Sequence, residues 1–337
     1  MESPRARRGR RARSSRRRPL LHTALAAVAV LGVTAGGTVY VKAQAHSGGE
    51  AVSSASAAPS VSASESADGE VSVDGVAVPE VDHDVLLAEA MASVTVPGDA
   101  DVSVAVLGTD SGDTALYGDT AFDTASIVKV DILAALLLQA QDAGRQLTSA
   151  ERTYATAMIE NSDNDSASAL WRSIGRAEGL DAANERFGLT ATEGGDDMLW
   201  GLTQTTAADQ LTLLRQVFGT DSELSEASRS YVQGLMGRIA AGQRWGVSAA
   251  ADGTAWELKN GWLARSATGL WDVNSIGRVT SDGHDYLVAV LSNGSTTQAD
   301  GITLVEAAAR AAVAALTTDD GASATPASGT SADPVGK

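Results

Sequence analysis

The order of strand-like and helix-like segments constrains the fold of this chain more than any other feature of its sequence. Short strand-like runs lie at residues 102–107 and 114–117, and three more lie far along the chain at 255–262, 272–280 and 286–291. The stretch between the two groups has helical spacing of its apolar residues. Strands from both ends around a helical middle predict an α+β fold, with one antiparallel sheet built from both chain ends and an all-helical subdomain.

One helical segment, residues 127–141, is apolar on nearly every side and is followed by Gly144. A helix with so little polar surface is expected to be buried, which places it at the centre of the helical subdomain. Further helices are predicted, in chain order, at 82–92, 151–158, 165–174, 207–218 and 302–316.

The first 45 residues have the pattern of an export segment. Nine Arg and one Glu occur in the first 18 residues, and an apolar run follows at residues 20–41. The run is long enough to span a bilayer, but Ala43-Gln44-Ala45 fits a signal-peptide cleavage site. Residues 1–45 are therefore either a cleaved Arg-rich signal peptide or a membrane anchor. In both cases we expect the rest of the chain to be extracytoplasmic, either secreted or anchored to the cell membrane.

Two further stretches lack the residues needed to build a core. Residues 46–81 contain nine Ser and no Leu, Ile, Lys, Arg or aromatic residue. This composition cannot offset the entropy of ordering the chain, so we predict a disordered linker. Residues 317–337 have the same small, polar character and are predicted to be a disordered tail. The folded domain is therefore expected at residues 82–316.

Composition excludes several classes of site. The chain has no Cys, which rules out disulfides, Cys-ligated metals and a thiol nucleophile. The 319 residues after the Arg-rich start carry 41 acidic and 16 basic side chains, so nucleic-acid binding is disfavoured. The domain has only two His, His83 and His284, which argues against a Ser-His-Asp triad and a His-rich metal site. We expect no cofactor and no metal, although a cation site built from oxygen ligands stays open.

The distribution of lysine is the first chemical signal. The expected domain contains twelve Arg but only two Lys, Lys129 and Lys259. A desolvated lysine can lose its proton and act as a base, whereas arginine stays charged. The two lysines therefore indicate positions where a guanidinium would not serve, although codon bias toward arginine is the alternative.

Lys129 follows Ser126 by three residues at the start of the apolar helix. This spacing puts both side chains on one helical face, about one turn apart. A serine in the first turn lies beside backbone N–H groups that can stabilise an oxyanion. A lysine among apolar neighbours has a lowered proton affinity and could deprotonate that serine. The alternative is a helix-capping Ser followed by a Lys that extends to solvent.

Two further motifs follow in order: Ser162-Asp163-Asn164 between two predicted helices, and Lys259-Asn260-Gly261 on a late strand. With Ser126-x-x-Lys129, this order resembles class A β-lactamases and penicillin-binding proteins, whose signature is Ser-x-x-Lys, Ser-Asp-Asn and Lys-[Thr/Ser]-Gly. The resemblance covers nearly all of residues 82–316.

The resemblance implies a catalytic role for four side chains. Ser126 would attack an amide carbonyl and form an acyl-enzyme, with Lys129 as the base or the proton relay. Ser162 would pass a proton to the departing nitrogen, assisted by Lys259.

The resemblance also implies how a substrate is held. Asn164 would bind the amide side chain of the substrate, although capping the next helix is its alternative role. Lys259 and its strand would attract a substrate carboxylate, and the N–H groups of Ser126 and Trp262 would form the oxyanion hole. The positions implied for substrate binding are Asn164, Asn260, Gly261 and Trp262. Arg265 or Arg278 could add to the carboxylate site, with an ordinary surface position as the alternative for both.

Three departures from the family pattern bear on activity. Asn260 replaces the usual Thr or Ser, and its amide could still donate a hydrogen bond. Ser126 and Ser162 are 36 residues apart, which is short for a class A enzyme. No Glu-x-x-Leu-Asn occurs, the motif whose Glu activates the deacylating water; the available acids at 193–197 are Glu193, Asp196 and Asp197. Slow deacylation is therefore expected.

These features together predict an extracytoplasmic serine hydrolase that acts on β-lactams or related amides and peptides through an acyl-enzyme. The alternatives are a D-Ala-D-Ala peptidase-like penicillin-binding protein and a catalytically impaired binding module of the cell envelope. The expected partner is a small-molecule β-lactam or a peptidoglycan-like substrate. We expect a monomer that binds no nucleic acid and contacts the membrane only through an uncleaved N-terminal segment.

Overall fold

The structure is a computed structural model that describes residues 81–320, with side chains described through Thr317. The expected export segment at 1–45, the linker through residue 80 and the tail from residue 321 lie outside the described residues. The domain boundaries drawn from composition therefore stay predictions.

The strands confirm the predicted antiparallel sheet. They are β1 (Asp101–Gly108), β2 (Thr114–Tyr117), β3 (Phe122–Asp123), β4 (Gln204–Thr205), β5 (Trp256–Ala264), β6 (Trp271–Ser281) and β7 (His284–Ser295). Five of them form one sheet in the order β2-β1-β7-β6-β5, and every neighbouring pair is antiparallel. Strand β1 pairs with β7, so the two strands before the helical subdomain and the three after it form one sheet. Strands β3 and β4 pair separately.

The hairpin between β6 and β7 shows how the sequence sets the register. The two strands are joined by Asp282-Gly283, and both residues have positive φ, 51° and 81°. An Asp-Gly pair with this geometry suits the tight turn that matches the twist of antiparallel strands. Strand β5 lies at the edge of the sheet, so one side of its backbone is open to the helical half of the molecule.

Eight helices surround the sheet in the described part of the chain. They are α1 (His83–Met91), α2 (Val128–Asp142), α3 (Ser149–Glu160), α4 (Asn164–Ile174), α5 (Arg176–Phe187), α6 (Ala207–Phe218), α7 (Glu226–Met236) and α8 (Gln298–Asp320). None of these helices combines the length and apolar character needed to cross a membrane. Helices α5 and α7 were not predicted from the sequence, and α8 extends beyond its predicted range of 302–316 at both ends. The N-terminus of α8 comes earlier because Thr297 Oγ1 accepts a hydrogen bond from the backbone N–H of Asp300 at 3.0 Å.

Helix α2 is the centre of the helical subdomain, as its apolar sequence predicts. Twelve of its fifteen residues are buried. Its neighbours supply large apolar side chains to one cluster, including Trp171 from α4, Phe187 from α5 and Leu214 from α6. The opposite face of the sheet packs on α1 and α8 through a second cluster. The sheet therefore lies between α1 and α8 on one side and the helical subdomain on the other.

Candidate active site

Ser126 lies in a short 3-10 turn, Ala125–Ile127, that leads directly into α2. Its side chain is half-buried and lines a cleft of about 560 Å³. The residue before it, Ala125, has a φ of 47°, in the left-handed region that non-glycine residues rarely adopt. Such strained backbone is tolerated only where the surrounding structure holds it, and it often occurs at functional sites. The turn thus presents the Ser126 hydroxyl to the cleft.

Lys129 is the second residue of α2, about one turn after Ser126, and is fully buried. Its Nζ donates to Ser126 Oγ at 2.9 Å and to Asn164 Oδ1 at 2.7 Å. It also lies 2.7 Å from the carbonyl oxygen and 3.0 Å from Oγ of Ser162. The alternative of a Lys that extends to solvent is therefore wrong.

Burial changes the proton affinity of the Lys129 amine. Desolvation lowers the pKa of Lys129 from 10.5 to about 7, while the negative charge of nearby Asp163 partly opposes this shift. Near neutral pH the amine therefore exists in both forms, and the neutral form can accept a proton from the Ser126 hydroxyl.

Ser162 connects the two lysines of the domain. Lys129 Nζ and Lys259 Nζ each lie 3.0 Å from Ser162 Oγ, and Lys259 also donates to the carbonyl oxygen of Asn260 at 2.7 Å. Burial, together with the charge of Lys129, lowers the pKa of Lys259 well below its ordinary value. Two ammonium ions at one hydroxyl would repel each other in this buried setting, which favours a neutral amine. Ser162 itself has a φ of 56°, a second strained position at this site.

The two residues after Ser162 have different roles. Asp163 caps α4, because its Oδ1 accepts from the backbone N–H of Ser166 at 2.7 Å. Asn164 is the first residue of the helix and lines the cleft. The alternative that Asn164 caps the helix is therefore wrong, and its side chain remains at the site beside Lys129.

Gly261 allows strand β5 to approach the Ser126 turn closely. A Cβ atom at position 261 would lie 2.7 Å from both the backbone nitrogen of Ser126 and the carbonyl oxygen of Thr124. Real Cβ atoms essentially never come this close to other heavy atoms, so only glycine fits without a shift. The next residue, Trp262, lines the cleft, and its ring centroid lies 5.8 Å from that of Trp245.

The structure corrects the role expected for Asn260. Its side chain is 1% exposed and is absent from the residues that line the cleft. Both of its N–H groups are used within the protein, on the carbonyl oxygens of Gln243 at 2.7 Å and Trp245 at 2.9 Å. The amide therefore fastens the segment before β5 and has no donor left for a substrate carboxylate.

The two arginines considered for carboxylate binding are also engaged. Arg265 lines the cleft, and its guanidinium pairs with Asp123 and lies 3.7 Å from Asp272. Arg278 pairs with Glu257 at 2.8 Å and lies 3.6 Å from Asp285. No group of His, Asp and Glu side chains within the described range has an arrangement that could hold a metal ion.

The loop between α5 and β4 brings an aromatic residue to the site instead of an acid. Glu193, Asp196 and Asp197 are exposed, and no Asp or Glu is among the described residues that line the cleft. Trp200 lines the cleft. Its indole N–H donates to Ser168 Oγ at 3.2 Å, and its ring centroid lies 4.9 Å from Lys129 Nζ. The sequence drew attention only to the acids of this loop, and nothing in it indicated that Trp200 contacts Lys129.

The comparisons with known proteins agree with this geometry. Residues 151–316 match the beta-lactamase enzyme family. No curated protein sequence matches the chain at a significant level.

Several solved structures share the fold at low sequence identity. A variant of PBP-A in an acyl-enzyme complex with penicillin G is 21% identical, with a TM-score of 0.60 over 69% of this chain and 97% of that chain. A class A beta-lactamase from Bacteroides cellulosilyticus is 17% identical, with a TM-score of 0.60 over 71% of this chain and 100% of that chain. The TLA-3 extended-spectrum beta-lactamase is 16% identical, with a TM-score of 0.60 over 69% and 98%. The family match over residues 151–316 and the fold shared with PBP-A and a class A beta-lactamase together confirm the resemblance drawn from the three motifs.

Proposed function

We propose that this chain is an extracytoplasmic serine hydrolase that forms an acyl-enzyme at Ser126 with β-lactams or related amides and releases the acyl group slowly. One observation carries the proposal: a buried amine, Lys129 Nζ, contacts both Ser126 Oγ at 2.9 Å and Ser162 Oγ at 3.0 Å. Activation of a serine by a base within hydrogen-bond reach is the arrangement that nucleophilic catalysis requires.

The reaction follows from these contacts. Neutral Lys129 takes the proton of Ser126, and Ser126 Oγ attacks the carbonyl carbon of the amide. The backbone N–H groups of Ser126 and Trp262 stabilise the oxyanion. Ser162, which contacts both amines, passes a proton to the departing nitrogen with Lys259 as its second partner. The carbon–nitrogen bond breaks and the acyl group stays on Ser126.

Slow release is supported by the residues that line the cleft. Hydrolysis of the acyl-enzyme needs a base that activates water, and no carboxylate is found among the described lining residues. Trp200 lines part of the cleft, beside Lys129. The place of action is supported by the sequence, because the Arg-rich start and the apolar run at 20–41 are typical of exported chains.

Labelling with a fluorescent penicillin tests the proposal. We expect one label per chain by intact mass, with the acyl adduct persisting long after free penicillin is removed. The Ser126→Ala variant is expected to take no label, whereas Ser149→Ala, which removes an exposed hydroxyl on α3, keeps it. Equal labelling of wild type and Ser126→Ala would overturn the assignment of the nucleophile. Rapid turnover of nitrocefin with no adduct by mass would overturn slow deacylation.

A further inference from the structure

Among the described residues that line the cleft beside Ser126, no free cation is available to receive a carboxylate. Arg265 is the one charged side chain among the described residues that line it, and two carboxylates, those of Asp123 and Asp272, already face its guanidinium. A negatively charged group placed near Arg265 would also meet these two acids. The net charge of the chain also repels a negatively charged group, since the chain after residue 18 carries 41 acidic and 16 basic side chains.

The strand beside the nucleophile offers no replacement. Lys259 is fully buried and is occupied by Ser162 Oγ and the carbonyl oxygen of Asn260. Asn260 stands where a hydroxyl residue would contact the carboxylate, and both of its N–H groups are held by the carbonyls of Gln243 and Trp245. Recruiting either residue for a substrate would break hydrogen bonds inside the protein.

The walls of the cleft are mainly apolar instead. One wall comes from Met198, Leu199, Trp200 and Leu202, and the other includes Leu263 and Ala264 after Trp262. Leu199 is 54% exposed, so a large apolar side chain is accessible to solvent in the same cleft that Ser126 lines. An apolar group bound there would remove this surface from water, which is favourable in proportion to the area covered.

We propose that the cleft prefers acyl donors that have a large apolar acyl group and carry no carboxylate, such as neutral esters, over carboxylate-bearing donors such as penicillins, which acylate Ser126 more slowly. The inference rests on the acylation of Ser126 proposed above and names its substrate class. In the step, the Ser126 oxygen forms a bond to the carbonyl carbon and the ester carbon–oxygen bond breaks. The serine proton passes through Lys129 and Ser162 to the departing alcohol oxygen, so no further reactant is needed.

Three esters that release a coloured nitrophenolate test the two parts of this inference. The 4-nitrophenyl ester of phenylacetic acid is compared with that of acetic acid, which has a small acyl group, and with the phenylacetyl ester of 3-carboxy-4-nitrophenol, which adds a carboxylate. The acylation rate of the full chain is measured as the nitrophenolate burst and as the mass adduct, with Ser126→Ala as the baseline. We expect phenylacetyl transfer to exceed acetyl transfer by about tenfold, and the carboxylate to slow it. Equal rates for the two acyl groups, or faster acylation by the carboxylate ester, would overturn the inference.

A pair of matched variants tests whether the preference for a large acyl group arises in the cleft. Leu199→Ser changes an exposed side chain of the wall and is expected to reduce the preference for phenylacetyl over acetyl several-fold. Leu116→Ser changes a side chain that is 39% exposed on β2, at the opposite edge of the sheet from β5, and is expected to leave the preference unchanged. A loss of preference in both variants, or in neither, contradicts the assignment. If penicillin acylates Ser126 but the esters do not, this inference fails alone; if no reagent acylates Ser126, the proposed function fails with it.

Discussion

At the scale of single residues, the amine of Lys129 is subject to two opposing influences. Three hydrogen-bond partners, Ser126, Ser162 and Asn164, together with the charge of Asp163, favour the ammonium form. Burial disfavours it, and burial dominates, because the pKa falls to about 7. The same contacts that hold the amine in place therefore leave it able to accept a proton near neutral pH.

This balance predicts how acylation depends on pH. Below pH 7 the Lys129 amine is protonated and cannot take the Ser126 proton, so the acylation rate constant should fall about tenfold for each further pH unit. Above pH 7 the rate should level off. Penicillin labelling at a series of pH values measures this profile, with tryptophan fluorescence as a control for folding. Lys129→Arg should lower the rate by about 10²-fold or more at every pH, because a guanidinium stays protonated. A flat profile in the wild type would contradict the role of Lys129 as base.

Residue spacing revealed part of this site and could not reveal the rest. Ser126 and Lys129 lie three residues apart on one helix, so local geometry was enough to predict their contact. Asn260 was expected to face the substrate, but the direction of its amide depends on carbonyls 15 to 17 residues earlier in the chain. No local pattern records such a contact. The same is true of Trp200, which reaches Lys129 from a loop 71 residues later.

At the scale of elements, the site depends on an edge strand that touches the first turn of a helix. Within residues 81–320, strand β5 has a neighbour strand on one side only, and its backbone at Gly261 lies against the Ser126 turn. The strand thereby brings its backbone next to Trp262 into contact with the turn that bears the nucleophile. The absence of a side chain at position 261 makes this contact possible.

Gly261→Ala should therefore separate the two elements. The added Cβ would lie 2.7 Å from the Ser126 nitrogen, and the backbone atoms around it cannot rotate away as a flexible side chain could. A displacement of about 1 Å would reduce acylation about 10²-fold, and the overpacking would lower the free energy of unfolding by about 1–3 kcal/mol. Penicillin labelling and urea unfolding measure the two effects.

Gly242→Ala is the matched control, because nothing lies within 4 Å of a Cβ at that position. It should label at the wild-type rate. Normal labelling of Gly261→Ala would show that the strand and the turn need not touch.

The elements themselves were predictable to different degrees. The buried α2 follows from a strong local pattern, its run of apolar residues. Helix α5 was missed because Gly179 interrupts it and few apolar residues mark its inner face. That glycine is required by packing, since a Cβ there would lie 1.7 Å from the carbonyl oxygen of Ile174. The residue that makes the sequence look non-helical is thus the one that lets α5 follow α4 so closely.

At the scale of the whole molecule, α2 carries a second buried ionisable group that does not take part in the proposed reaction. Asp131 lies two residues after Lys129 and is 1% exposed. Neither of its carboxylate oxygens has a hydrogen-bond partner among the described residues. Burial, the largest cause, together with the charges of Asp181 and Asp209, raises the pKa of Asp131 from 3.8 to about 7, while the neighbouring Asn184 opposes this shift. Asp181 and Asp209 also hold the loop after α5, by accepting from the backbone N–H groups of Gly194 and Ala191 at 2.8 Å.

The sign of the resulting pH dependence follows from proton binding. The pKa of Asp131 is 3.8 in the unfolded chain and about 7 in the folded one, so between these values the folded state binds more protons. Its contribution to stability is therefore complete below pH 3.8 and is lost as the pH rises toward 7. Asp131→Asn removes this loss. We expect its free energy of unfolding, relative to wild type, to increase by about 3 kcal/mol between pH 4.5 and 7.5.

Urea unfolding at the two pH values measures this change. Asp119→Asn removes the same charge from an exposed site and controls for the change in net charge. If the free energy of unfolding has the same pH dependence in the wild type, Asp119→Asn and Asp131→Asn, ionisation of Asp131 does not destabilise the fold. If the pH dependence changes only in Asp131→Asn, the core of the helical subdomain contains a neutral acid below pH 7. Above that pH, the charge of Asp131 repels Asp181 and Asp209, the two carboxylates that hold the loop bearing Trp200.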